Sequence, residues 1–215
     1  MKKILLSMSV MALCFTSCKK EVKVETEITT TDTAKVVTEE APEAEKPMDS
    51  VAEMEAWQKY MTPGEAHKFL AADNGSWTNE MTFWHDENSK PEKATSTSET
   101  KMILGGRYQE SNYKGNMMGM PFEGRSTVAY DNSTKEFIST WIDNMGTGMM
   151  VMKGEMSPDG KSLDFKGEMV DPTKEKAVWC RELFTVVDAN TRKMEMFCMK
   201  NGKQHKNMEI IMKRK

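Results

Sequence analysis

The sequence predicts an all-β chain, folded as an antiparallel up-and-down barrel of about ten strands and preceded by two short helices. Beyond Gly75, apolar and polar residues alternate in short segments that recur roughly every dozen residues, the period of half-buried strands. Turn-forming groups of hairpin length separate them, among them Leu104-Gly105-Gly106, Asp131-Asn132-Ser133-Thr134, Ser157-Pro158-Asp159-Gly160 and Lys200-Asn201-Gly202-Lys203. Strands joined in this way pair as antiparallel neighbours. A sheet of that size leaves two edges exposed unless it closes, so a barrel is preferred and a two-sheet sandwich is the alternative.

The elements follow in order. Lys2 and Lys3 supply positive charge ahead of the apolar run Ile4 to Phe15, which is too short to span a bilayer and has the layout of an export signal over residues 1–17. Phe15-Thr16-Ser17-Cys18 resembles the lipobox of bacterial lipoproteins, with Phe15 where leucine is usual. That resemblance implies a diacylated Cys18 and a partner in the membrane, since more than one acyl chain is needed for stable anchoring. Lys19 stands where an aspartate would resemble an inner-membrane retention signal, which implies the outer membrane. Lys19-Lys20 also departs from acid-rich surface-export signals, which places the body on the periplasmic side. Residues 18–47 are Glu, Lys, Thr, Val and Pro with no aromatic residue, the composition of a disordered tether.

The folded domain is expected over residues 48–215. Asp49 or Ser50 caps a helix carrying Val51, Met54, Trp57 and Met61 at helical spacing. Thr62-Pro63-Gly64-Glu65 predicts the start of a second helix, with Thr62 as cap, Pro63 in the first turn and Phe69 and Leu70 on its apolar side. Strands are predicted at 76–85, 95–104, 107–114, 122–130, 136–143, 147–156, 162–169, 177–187, 193–200 and 205–212.

Several of these segments carry a family resemblance. Met102-Ile103-Leu104-Gly105-Gly106-Arg107, Met120-Pro121-Phe122-Glu123-Gly124, Tyr130-Asp131 and Trp141-Ile142-Asp143-Asn144-Met145-Gly146-Thr147-Gly148 together resemble the bacterial family known as domain of unknown function 1579, from about Thr62 to Arg214. Gly75-Ser76-Trp77 is similar to the Gly-x-Trp opening of lipocalin-like barrels. That similarity implies that Trp77 closes the barrel floor beneath a basic residue of the last strand, here Arg214.

Candidate site residues come from strand periodicity and composition. Trp141 and Asp143 share a strand face with Phe137 and Ser139, so Asp143 is either a polar anchor for a ligand or an internal ion pair or turn cap. An interior carboxylate calls for a partner, and Arg107, Arg125 and Arg181 are the candidates, with Tyr130 completing the ligand-binding set. Methionine is unusually abundant at 22 residues. Met117, Met118 and Met120 are soft donors suited to Cu(I), but packing or pocket lining is the preferred account of the methionines, with Met150, Met152 and Met156 on one strand face. Cys180 and Cys198 lie on successive predicted strands, where register decides between a disulfide and two buried thiols.

A net charge of −3 gives no electrostatic reason for a nucleic-acid partner. Phosphate-loop, dinucleotide, nucleophile-elbow and zinc-helix motifs are all missing, so no cofactor is expected and an enzyme is disfavoured. The leading expectation is a membrane-anchored lipoprotein whose barrel binds a small apolar or amphipathic ligand. The alternatives are Cu(I) handling through the Met clusters and an enzyme using Asp143 as general acid or base.

Overall fold

The computed structural model describes residues 49–86 and 89–215; the predicted signal peptide, Cys18 and the tether lie outside them. Two helices, α1 (Ser50–Met61) and α2 (Glu65–Ala71), precede ten strands. The strands are β1 (Gly75–Phe83), β2 (Glu92–Ile103), β3 (Tyr108–Met117), β4 (Met120–Tyr130), β5 (Phe137–Asp143), β6 (Met150–Met156), β7 (Ser162–Asp171), β8 (Lys176–Val186), β9 (Thr191–Lys200) and β10 (Lys203–Arg214). Each pairs antiparallel with its successor, and β1 also pairs with β10, so the sheet is a closed up-and-down barrel and not a sandwich.

Short connections enforce the meander. Met117 and Met120 sit opposite each other, joined only by Met118 and Gly119 at φ 51° and 79°. Lys200 and Lys203 are likewise joined by Asn201 and Gly202 at φ 51° and 76°. Two residues in the left-handed region give the turn whose twist matches that of the strands. Asn201-Gly202 suits this geometry. Met118 does not, because its Cβ crowds the backbone there, and its side chain is 76% exposed and gains nothing from packing. Met118→Asn is therefore expected to raise stability by about 0.5–1 kcal/mol in urea denaturation. An unchanged or lower midpoint would count against this account of the turn.

Inward positions alternate along every strand. Trp77, Asn79 and Met81 of β1 are buried, as are Phe122 of β4, Phe137 of β5, Met152 of β6, Leu163 and Phe165 of β7 and Cys180 of β8. Cys180 and Cys198 are register partners on β8 and β9 and form a disulfide with Cα atoms 4.1 Å apart. The bond closes a loop of 18 residues. Reduction is expected to lower stability by about 2 kcal/mol, the lower part of the usual range, because the loop is short. Paired urea curves with and without reductant check this.

The helices depart from expectation in two ways. Asp49 caps α1 as predicted, accepting from Val51 N at 3.2 Å, yet α1 buries no side chain. Val51, Met54 and Trp57 are 60%, 74% and 55% exposed, because α1 touches the barrel only at its C-terminal end, where Asn132 Nδ2 donates to the Tyr60 and Thr62 carbonyls. The cap of α2 is Gly64, not Thr62. Thr62 is occupied in ending α1, its hydroxyl donating to Gln58 O at 2.6 Å, and the backbone N–H of Gly64 is taken by His67 Nδ1 at 3.0 Å.

Candidate functional site

One end of the barrel is sealed. α2 lays Leu70 into the core beside Phe137, Leu163 and Phe165, and its last carbonyls are held from the barrel. Gln109 Nε2 donates to Leu70 O at 2.8 Å, and the Arg214 guanidinium donates to Ala72 O and Asn74 O at 2.7 and 2.6 Å. A cation at a helix C-terminus satisfies orphan carbonyls and the helix dipole together. The same Arg214 lies over the Trp77 ring at 4.2 Å, the floor arrangement that the Gly-x-Trp resemblance implies.

Beneath this cover sits a buried ion pair. Arg192 Nε donates to Asp73 Oδ1 at 2.7 Å, and Arg192 Nη1 donates to the Asp188 and Thr191 carbonyls at 2.6 and 3.0 Å. Arg192 is 3% exposed and Asp73 7%. Burial pushes the Asp73 carboxyl above its ordinary range, against the pull of Arg192. Burial, with Arg107 nearby, holds the His67 imidazole of α2 below its own.

Above the floor the lumen has two unlike walls. On β2–β5 the inward residues include Ser96, Ser98, Thr100, Ser111, Ser126 and Ser139, with Asn79 of β1 donating to Ser96 and Ser98 at 3.1 and 3.2 Å. Thr100 and Ser111 hydroxyls are 2.8 Å apart. On β6–β10 the inward residues are mainly apolar and rich in thioethers, among them Met152, Phe165, Met194, Met196 and Ile210. Buried hydroxyls must recover their hydration in hydrogen bonds, and on the β2–β5 wall several recover it from one another.

Two ionisable groups face each other across this space. Glu182 lies midway along β8 between Phe165 and Met196 of the flanking strands. Tyr113 lies midway along β3, five strands away on either side of the closed order and hence diametrically opposite. Both sit deep in the barrel yet keep accessible surface, as side chains lining a hollow do. Among the described residues nothing donates to the Glu182 carboxyl, and burial alone raises its pKa to about 7. Burial raises the Tyr113 phenol to about 12, with Glu182 adding to the effect and the Ser126 and Ser111 hydroxyls opposing it.

Toward the end opposite the floor, Trp141 projects inward from β5. Its ring centroid is 5.1 Å from that of Tyr113 and 6.3 Å from that of Phe122, and it lies on Gly124, where a Cβ would come within 2.6 Å of the ring. Asp143 Oδ2 accepts from Trp141 Nε1 at 2.6 Å and Oδ1 accepts from Met145 N at 2.9 Å. The carboxylate thus fixes the indole and caps the turn after β5.

The sequence-predicted site residues do not converge. Trp141 and Asp143 meet, but no arginine accompanies them. Arg181 points outward, its Nε and Nη2 held by Asp164 at 2.7 and 3.1 Å; Arg125 donates to Asn112; and exposed Arg107 donates to Leu104 O in its own turn. Strand alternation sends Arg125 and Arg181 to the outer face, and Arg107 precedes β3 at the sealed end. Tyr130 also belongs to the sealed end, packed on Phe137 and His67. Met117 and Met120 face each other at the β3–β4 turn, with Met118 at its apex. Glu182 and Tyr113 are not among the sequence-predicted site residues, since β8 is apolar on both faces and β3 polar on both.

Two surface depressions lie outside the barrel. One of about 480 Å³ is lined by Glu55, Gln58, Lys59, Thr62, Pro63 and Gly64, and one of about 120 Å³ lies beside Thr97, Glu99, Asn112 and Lys114. Neither gathers uncompensated polar groups in a walled space, so the lumen is the better candidate site.

Sealed floor, closed up-and-down sheet and half-polar interior define a lipocalin-like barrel. The family model described as protein of unknown function (DUF1579) matches residues 62–214, and the chain belongs to that family. The crystal structure of Rv2717c from M. tuberculosis is similar, with a TM-score of 0.54 and 12% identity over 72% of this chain and 99% of that one. At that identity the likeness is one of fold. No curated protein matches.

Proposed function

We propose that this chain is a lipid-anchored protein of the bacterial cell envelope, held in the outer membrane on the periplasmic side, whose barrel takes up a small amphipathic ligand. The division of the lumen into a hydroxyl wall and a thioether and aromatic wall carries the reading. Such an interior can wet one side of a guest and bury the other. Methionine suits the apolar side because its unbranched thioether adapts to varied shapes. The anchor rests on Lys2-Lys3, the apolar run that follows, and Phe15-Thr16-Ser17-Cys18.

Two measurements test the proposal. Native mass spectrometry of gently purified protein is expected to show a mass adduct that is lost on denaturation; a bare chain in every preparation argues against uptake. Palmitate labelling of producing cells is expected to mark the wild type and leave Cys18→Ser unlabelled, and equal labelling of both would remove the anchor.

A further inference from the structure

Within the walled part of the lumen the charges are one-sided. The inward arginines, Arg192 and Arg214, sit at the floor and are already engaged, the first by Asp73 and two carbonyls, the second by the end of α2. At the mouth, His205 Nε2 contacts Trp84 O at 3.2 Å, and both oxygens of Asp143 accept hydrogen bonds from within β5 and its turn. Lys206 is held by Glu195 and Glu209. Among the described residues this leaves Glu182 as the lumen charge with neither a counter-ion nor a hydrogen-bond donor. It projects from the thioether wall toward Tyr113 on the facing strand.

We infer that the lumen selects a positively charged guest, an apolar molecule bearing an amine, with its ammonium held between the Glu182 carboxylate and the ring of Tyr113. The inference rests on the ligand-uptake reading and specifies the guest's chemistry. A carboxylate desolvated among Phe165 and Met196 gains most from a cation brought into the same dry space. Electron-rich ring faces attract an ammonium in the same setting, and the attraction grows as water is excluded. An anionic head group would meet repulsion from Glu182. A neutral alcohol would find hydrogen bonds on the serine wall and no use for the charge.

Three probes of one skeleton separate these cases: 2-phenylethylamine, 2-phenylethanol and 3-phenylpropanoate, titrated into the full-length protein at pH 8 by calorimetry and ligand-observed NMR. The amine is expected to bind at least tenfold more tightly than the other two. Glu182→Gln should erase that advantage while leaving the alcohol's affinity within about twofold, and Glu182→Asp should retain part of it. If the alcohol binds and the amine gains nothing over it, or if the advantage survives in Glu182→Gln, the charge selection is wrong and uptake stands. If none of the three binds, uptake of guests of this size and the selection built on it both fall.

Discussion

Replacing Arg192 with methionine is expected to lower stability by about 3–5 kcal/mol, because the change strands the Asp73 carboxylate in the barrel floor without its counter-charge. The arginine also closes the Asp188 and Thr191 carbonyls and packs over the Trp77 ring at 5.2 Å, so its loss unsettles three neighbours together. In thermal denaturation the expected fall in Tm is about 10 °C for a domain of this size. Adding Asp73→Asn to Arg192→Met should recover part of the loss, since no unpaired charge then remains. A single-variant cost below about 1 kcal/mol, or a double variant worse than the sum of its singles, would contradict the floor described above.

Glu182 has the second large effect, and it depends on pH. Its carboxyl titrates near 7 in the folded protein against an ordinary value of 4.5, so the native state holds its proton over an interval in which the unfolded chain has released it. The resulting stability is fully present below pH 4.5 and is lost as pH rises through about 7, amounting to about 3 kcal/mol. Glu182→Gln abolishes this dependence. The variant should match the wild type near pH 4.5 and exceed it by about 3 kcal/mol at pH 8, read from urea curves across that range. Asp73, also raised by burial, bends the wild-type curve in the same direction, so the difference between the two proteins isolates Glu182. A difference that stays flat with pH would show that the carboxyl is hydrated.

The strands were legible because turns and alternation agree. Where they diverge, the reading slipped. β3 extends to Met117, beyond the predicted end at Lys114, because Asn116-Met117-Met118-Gly119-Met120 reads as a loop in composition yet holds only a two-residue turn. β6 begins at Met150 and not Thr147, since the Gly146 to Gly148 stretch continues the turn after β5. The apolar spacing of α1 identified a helix but said nothing of whether anything covers it. In β8, Trp179 and Leu183 on one face match Val178 and Phe184 on the other, so alternation could not tell inside from outside and Glu182 went unnoticed. β3 is polar on both faces, which concealed Tyr113 in the same way. The Asp73 to Arg192 pair spans 119 positions and leaves no local spacing to read.

The seam between β1 and β10 has a bearing on how the molecule is made. Trp77 meets Arg214, so β1 acquires its second neighbour only from β10, the last strand to be made. A nascent chain still short of that strand is a curved ribbon with two raw borders, its floor tryptophan bare of Arg214 and the lumen unformed. Closure therefore waits on the synthesis of β10, and removing that strand would undo the vessel as a unit and not merely fray one side of it.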